Sequence, residues 1–261
     1  MFINISDSSQ NETKEKQAEI LKDKGNTFLK NGHFSNAIEL YTQSLSLHPT
    51  AVCYGNRSFV YLKLQKFKES LQDAESSVQH NEQYSKGYFR RAEAHMALEN
   101  YDNAIADYEY SNKCQPKDEI LLKIEECYHR MEAKALKEEG NENLKGGNLM
   151  EAVGLYTQSI DLYPTSNCYG NRSLAHYKLQ NYEKSVADAT ESLRYDKNYS
   201  KGYLRRADAY VALLQMDHAI KDYKTYLTMN PNDMMTQMRL AALVETIGEV
   251  KNVTGRGEKV P

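Results

Sequence analysis

Five polar residues in the first half of the chain have types and spacings suited to holding an anion. Lys22 and Asn26 lie four residues apart, as do Lys86 and Arg90, and Asn56 lies between the two pairs. Residues four apart share one face of a helix. Three cations and two amides, with no acidic residue among them, favour a ligand that carries two carboxylates. A peptide ending in an acidic residue has this chemistry, so the set predicts a peptide-binding groove.

A second set of the same five residue types follows 115 residues later: Lys137, Asn141, Asn171, Lys201 and Arg205. An ungapped alignment of 18–118 with 133–233 has 48 identities over 101 positions, which marks an internal duplication. Neighbouring surface positions differ between the copies, so the retention of all five favours a function over a solvated helix face. The second half therefore predicts a second groove.

The positions expected to line the two grooves do not match. In the first half they are Val52, Phe59, Phe89 and Met96. In the second half they are Asn167, Leu174, Leu204 and Val211. The first wall is aromatic and larger in apolar area, so it should favour a bulky upstream side chain such as Met or Ile. The two grooves are therefore expected to prefer different peptides.

A shorter repeat of about 34 residues indicates which helices position these residues. Three small residues, each three positions after an aromatic one, mark it in the first half: Ala37, Ser70 and Ala104. Prolines end the first and third units, at Pro49 and Pro116. Helical apolar spacing interrupted by a short polar turn within each unit predicts a stack of helix–turn–helix repeats.

This pattern resembles the tetratricopeptide repeat over nearly all of 18–233. The resemblance implies an all-α tetratricopeptide-repeat solenoid with two three-repeat domains, at 17–132 and 133–250. Each domain is expected to end in a capping helix, because its last repeat would otherwise expose an apolar face. The apolar spacing places these helices at Glu119–Arg130 and Met234–Val250.

The two ends of the chain, 1–16 and 251–261, are polar and are expected to be disordered tails. A net charge of −3 argues against a nucleic-acid binder. A mean hydropathy of −0.74 and the absence of a signal or transit peptide favour a cytoplasmic protein without membrane insertion. The seven histidines and four cysteines show no metal-ligand spacing, so neither a metal nor a cofactor is expected.

The spacing of the two sets is similar to the dicarboxylate clamp of chaperone-binding tetratricopeptide domains. In that family the clamp holds the terminal Glu-Glu-Val-Asp of heat-shock proteins 70 and 90. The resemblance therefore implies a non-enzymatic co-chaperone adaptor with these two partners. Short sequence segments, such as Tyr-Gly-Asn-Arg-Ser at 54–58, most resemble the tetratricopeptide domain of protein phosphatase 5. The Gly-Asp-x-His and Gly-Asn-His-Glu segments of a phosphatase catalytic domain do not occur, so no catalysis is expected.

Two other interpretations stay open on the sequence. One is an assembly or targeting scaffold whose second groove binds other acidic peptides. The other is a regulatory tetratricopeptide part of a phosphatase-like system, for which a tandem pair of clamps would be unusual. A J-domain co-chaperone is disfavoured because no His-Pro-Asp tripeptide occurs.

Overall fold

The computed structural model describes the backbone of residues 5–254 and the side chains of residues 12–246. The described backbone is helical and contains no strand, so the predicted all-α repeat fold is confirmed. Thirteen helices follow one another in this part of the chain: α1 (Ile5–Lys30), α2 (Phe34–Leu47), α3 (Ala51–Lys63), α4 (Phe67–His80), α5 (Ser85–Ala97), α6 (Tyr101–Cys114), α7 (Asp118–Gly146), α8 (Leu149–Leu162), α9 (Ser166–Lys178), α10 (Tyr182–Tyr195), α11 (Ser200–Ala212), α12 (Met216–Met229) and α13 (Met234–Thr254). None of the described helices combines the length and apolar character needed to cross a membrane.

Each helix pair is joined by a tight turn that contains one residue in the left-handed region. Gly32 and Gly147 take this position in the first repeat of each half, with φ of 76° and 85°. Non-glycine residues take it in the other four repeats, at φ between 58° and 62°: Gln65, Glu99, Gln180 and Leu214. This conformation strains a residue with a Cβ, so packing of the hairpin must hold the turn in those four repeats.

Bidentate ion pairs join the two helices of four repeats. Arg57 on α3 donates through Nε and Nη2 to Asp73 on α4, at 2.7 and 2.8 Å. Equivalent pairs join α5 to α6, α9 to α10 and α11 to α12: Arg91 with Asp107, Arg172 with Asp188, and Arg206 with Asp222. The aspartates are buried, so each guanidinium also supplies the partner that a buried charge requires.

The chain divides into two compact units, Met1–Tyr128 and His129–Pro261, and the division falls within α7. The sequence pattern placed a domain boundary between 132 and 133, with a separate capping helix before it. Instead, α7 contains both the predicted cap and the first helix of the second half. The residues 128–137 include neither glycine nor proline, so nothing in them ends a helix.

Parts of the two predicted tails are helical. α1 begins at Ile5, so residues 5–16 extend the first helix, and the i,i+4 pair of Glu12 with Lys16 at 3.0 Å supports that extension. At the other end, α13 continues past Val250 to Thr254. Residues 1–4 and 255–261 of the predicted tails lie outside the described residues.

Each cap covers the last hairpin of its unit. Ile120 and Cys127 on α7 are buried in a cluster with Tyr108 of α6. Counted from the start of the helix, the equivalent positions on α13 are Thr236 and Leu243, and both are buried. The apolar face of the third repeat is therefore closed in each unit.

Candidate anion-binding site

Two amides of the first set meet directly in the first unit. Asn56 Nδ2 on α3 donates to Asn26 Oδ1 on α1 at 2.9 Å, and the Tyr41 hydroxyl donates to the same oxygen at 2.7 Å. Burial raises the pKa of Tyr41, so its hydroxyl keeps its proton at neutral pH. The Asn26 amide nitrogen donates to Asp23 Oδ1 at 3.3 Å, so the second N–H of each amide is the donor that can face an acceptor in the groove.

The second unit repeats this arrangement. Asn171 Nδ2 on α9 donates to Asn141 Oδ1 on α7 at 2.8 Å, and the Tyr156 hydroxyl donates to the same oxygen at 2.8 Å. Burial raises the pKa of Tyr156 to about 12. Two predicted residues are therefore joined in each unit, and in each unit a buried tyrosine of the second helix fixes their orientation.

Lys22 and Lys137, the first cations of the two sets, lie near buried thiols on the first helix of the next repeat, α3 and α9 respectively. Burial raises the pKa of Cys53 and of Cys168, and the charges of Lys22 and Lys137 respectively are among the groups that oppose this rise. The Lys22 side chain is 14% exposed, and its ammonium pairs with Glu19 and lies 3.8 Å from Asp23. Both lysines therefore add positive charge beside the joined amides.

The other two cations of the first set line a cavity of about 350 Å³. Lys86 is exposed on α5, and the Arg90 guanidinium lies 4.1 Å from the ring centroid of Phe59. Arg90 Nη1 also donates to Glu93 Oε2 at 2.6 Å. The cavity thus has an aromatic side, three cations (Lys117 with the two of the first set) and two carboxylates, Glu93 and Glu119.

In the second set, Arg205 joins the amide pair itself. Arg205 Nη2 donates to Asn171 Oδ1 at 3.0 Å, and Nη1 donates to the Tyr199 hydroxyl at 2.9 Å. Asn141, Asn171 and Arg205 therefore form one hydrogen-bonded chain across three repeats. Lys201 is exposed on α11, one turn before Arg205.

Two of the residues predicted to line the first groove lie at the cavity, and a third lies in the core. Phe59 and Phe89 are half-buried and line the cavity, while Val52 is exposed at 39%. Met96 is 9% exposed and lies in the core cluster, where its sulfur accepts from Cys127 Sγ at 3.4 Å. Met96 faces the capping helix and is a core residue, so it does not belong to the groove surface.

The predicted wall of the second groove is more spread out. Asn167 is exposed at the start of α9, and Leu174 and Leu204 are half-buried. Val211 lines a separate cavity of about 450 Å³, together with Asp208 on α11 and Arg239 on α13. Asp208 accepts there from Arg239 Nη1 at 3.0 Å.

Several acidic and phenolic partners of the two sets did not stand out in the sequence. Glu93 follows Arg90 by three residues and Glu19 precedes Lys22 by three, a spacing that places each pair on one helix face. That spacing was the sequence signal from which these two ion pairs could have been predicted. Tyr199 had none, because its bond to Arg205 depends on how the turn before α11 folds.

The donor groups of both sets suit a ligand that carries carboxylates. Amide, ammonium and guanidinium N–H groups donate, and charge-assisted bonds to a carboxylate are the strongest that such groups make. Within the described residues, no group of His, Cys, Asp and Glu side chains could hold a metal ion.

The family model for the tetratricopeptide repeat matches residues 85–116 and 200–233. These segments contain α5 with α6 and α11 with α12, the third repeat of each unit. The chain therefore contains tetratricopeptide repeats. The third-repeat cations of both sets, Lys86 with Arg90 and Lys201 with Arg205, lie within the matched segments.

Relatives of this tetratricopeptide-repeat protein include Hsp70-Hsp90 organizing protein 3 of Arabidopsis thaliana. The two are 34% identical over 265 residues, which cover 92% of this chain and 47% of the relative. Human serine/threonine-protein phosphatase 5 is 29% identical over 214 residues, covering 80% of this chain and 40% of the phosphatase. The chain therefore spans less than half the length of these curated relatives.

A solved structure, the P58(IPK) TPR domain, is similar in fold. It superposes with a TM-score of 0.64 at 14% identity, over 90% of this chain and 67% of that chain. At this identity the similarity concerns the fold alone.

Proposed function

We propose that the chain is a non-enzymatic co-chaperone adaptor that binds the acidic C-terminal peptides of heat-shock proteins 70 and 90. Binding uses two carboxylate clamps, the first set and the second set. The observation that supports this proposal is the hydrogen-bonded pair of asparagines. It recurs in both units with a tyrosine donor from the second helix and with lysines and an arginine at matching sequence positions. The Arabidopsis relative, whose name describes an Hsp70-Hsp90 organizing protein, supports this assignment.

The donors divide into two groups that suit the two carboxylates of a terminal Asp. In the first set, the amides and Lys22 receive the main-chain carboxylate, while Lys86 and Arg90 receive the side-chain carboxylate. Each charge-assisted bond contributes roughly 1.5–3 kcal/mol when it is partly desolvated. After the entropy lost on ordering the peptide is subtracted, we expect micromolar affinity, about −8 kcal/mol.

Calorimetry on the intact chain with a peptide ending in Glu-Glu-Val-Asp tests the assignment. We expect two binding sites per chain, and binding that weakens as salt screens the ion pairs. Amidation of the peptide C-terminus removes one carboxylate and should weaken binding strongly at both sites. Equal binding of the free and amidated peptides would refute the clamp assignment.

Single charge reversals assign the two sites to the two sets. Lys86→Glu should remove the first site and Lys201→Glu the second, and the double variant should bind no peptide. Lys68→Glu is the matched control, because Lys68 is exposed on α4 and belongs to neither set. These residues lie on the surface, so melting temperatures should change little. Unfolding of the Lys86→Glu variant would instead make Lys86 a structural residue.

We also propose that the two grooves rank the two chaperone tails differently. Phe59 and Phe89 line the first groove, and their equivalents in the second half are Leu174 and Leu204. Losing aromatic contact and apolar area is worth on the order of 1–2 kcal/mol, or about five- to thirtyfold in affinity. The Lys201→Glu and Lys86→Glu chains, each with one groove, should therefore order the two tails differently. Identical rank order and near-identical constants would indicate a redundant duplication.

The proposal also places the protein in the cytoplasm. Cys53, Cys127 and Cys168 are buried free thiols, and this state is typical of a reducing compartment. Fractionation of cells that express the chain, with a cytosolic marker beside it, tests this placement. Recovery with an organelle lumen would contradict it.

A further inference from the structure

The clamp arginine makes different bonds in the two units. Arg205 donates to two neutral groups, Asn171 Oδ1 at 3.0 Å and the Tyr199 hydroxyl at 2.9 Å. Arg90, at the equivalent place on α5, donates instead to a carboxylate, Glu93 Oε2, at 2.6 Å. In these two contacts Arg205 therefore bonds only to uncharged groups, whereas the Arg90 guanidinium is already paired with an anion.

Two substitutions between the halves account for the difference. The Arg90 guanidinium lies over the face of Phe59, with 4.1 Å to the ring centroid, whereas the equivalent residue of the second half, Leu174, offers no aromatic face. Glu93 reaches Arg90 on the same helix face, while its shorter equivalent, Asp208, is bound elsewhere.

Asp208 is held by groups outside the clamp. It accepts from the Tyr223 hydroxyl at 2.6 Å and from Arg239 Nη1 at 3.0 Å. Arg239 belongs to α13, the capping helix. In the second unit the cap therefore neutralises the acidic residue, and in the first unit the clamp arginine does so.

We propose that Glu93 is an internal competitor that occupies the clamp arginine of the first groove until a peptide carboxylate displaces it; this inference rests on the proposed function. The Arg90 and Glu93 side chains are only 27% and 20% exposed, so water screens the pair incompletely. Glu93 also lines the same cavity as Lys86, where its charge repels an incoming carboxylate. Peptide binding in the first groove therefore includes the breaking of an ion pair, and binding in the second groove does not.

The test uses the intact chain with Lys201→Glu, so that only the first groove binds. Glu93→Gln preserves the size and hydrogen-bonding ability of the side chain and removes its charge. Release of Arg90 and loss of the repulsion should tighten binding of a Glu-Glu-Val-Asp peptide about fivefold. Glu109→Gln is the matched control, because Glu109 has the same charge in the same unit but is exposed on α6 and does not line the cavity. It should change the affinity by less than about twofold.

A second arm uses the chain with Lys86→Glu, where only the second groove binds. Asp208→Asn should not tighten that groove, since Asp208 does not occupy Arg205. Unchanged or lower peptide affinity in the Glu93→Gln variant overturns the inference, as does an equal gain in affinity in Glu109→Gln or in Asp208→Asn. Circular dichroism confirms that each variant is folded.

The same titrations separate this inference from the proposed function. Should the Lys201→Glu parent fail to distinguish the free from the amidated peptide, the clamp assignment itself fails. Should the parent distinguish them while Glu93→Gln brings no gain, only the competitor role of Glu93 fails.

Discussion

Gly25→Ala should damage both the stability of the first unit and its groove. A Cβ at position 25 would lie 2.7 Å from Tyr41 Cε1 and 2.9 Å from Cδ1. The Tyr41 ring is fully buried, and its hydroxyl is bound to Asn26, so the ring cannot turn aside without breaking that bond. The helices must therefore separate, or the amide pair must lose its tyrosine donor.

The expected size of the effect follows from two opposing terms. Overpacking of a filled core costs about 1–3 kcal/mol. Replacing a helical glycine by alanine returns about 1 kcal/mol. We expect a net loss of up to about 2 kcal/mol in the free energy of unfolding. Gly140→Ala should behave alike in the second unit, since its Cβ would lie 2.8 Å from Tyr156 Cε1.

Urea unfolding followed by circular dichroism measures the effect, with Gly154→Ala as the control. Gly154 lies within α8 and has open space where a Cβ would be, so its substitution should stabilise by about 0.5–1 kcal/mol. In the Lys201→Glu chain, Gly25→Ala should also weaken peptide binding several-fold. A Gly25→Ala protein as stable as the control, with unchanged peptide affinity, would refute the close-packing account of this groove.

Three further outcomes are expected. Burial lowers the pKa of His95, whose Nδ1 is buried without a hydrogen-bond partner, so the unfolded state takes up the proton first as the pH falls below about 6.5. The free energy of unfolding should therefore decrease from pH 7.5 to pH 5.5. His95→Tyr should reduce that decrease, since the equivalent position of the preceding repeat is Tyr61. Equal decreases in the original and the substituted protein would contradict this. Leu214→Gly relieves an exposed left-handed turn and should raise the unfolding free energy by about 0.5–1 kcal/mol, while a lower value would show that the turn is not strained. Arg172→Lys replaces a bidentate contact with Asp188 by a single one and should lower the free energy of unfolding by about 1–2 kcal/mol. An unchanged urea midpoint would show that this ion pair does not stabilise the fold.

Much of the fold follows from the sequence because its signals are local. Small residues and turn residues recur every 33 or 34 positions, prolines close the first and third repeats of each half, and each reports the conformation of its own few neighbours. The helical repeats, confirmed in the structure, needed no long-range information. The extent of α7 was not evident from the repeat pattern. This helix passes through residues 132 and 133, where the repeat count predicts a domain boundary but the residues contain no helix-ending signal.

The candidate site divides in the same way. The residue types and spacings of both sets were readable, since i,i+4 pairs share a helix face whatever surrounds them. The roles of Tyr41 and Tyr156 as donors to the amides were not, because those bonds join residues 15 positions apart on different helices. Met96 was placed on the wrong surface for a similar reason, since only the packing of α7 shows that its side chain faces the core.

The sequence by itself determined that the chain is a duplicated helical repeat protein with two matching sets of amide and cationic side chains. The tertiary structure decided how those sets differ. Arg90 and Arg205 have the same following residues, Arg-Ala, and the same preceding lysine, so local sequence predicts the same behaviour for both. Their bonds differ because Phe59 comes from α3 in one unit, and because Arg239 comes from α13 to hold Asp208 in the other. Such partners are distant in sequence, and only packing of the helices brings them to the arginine.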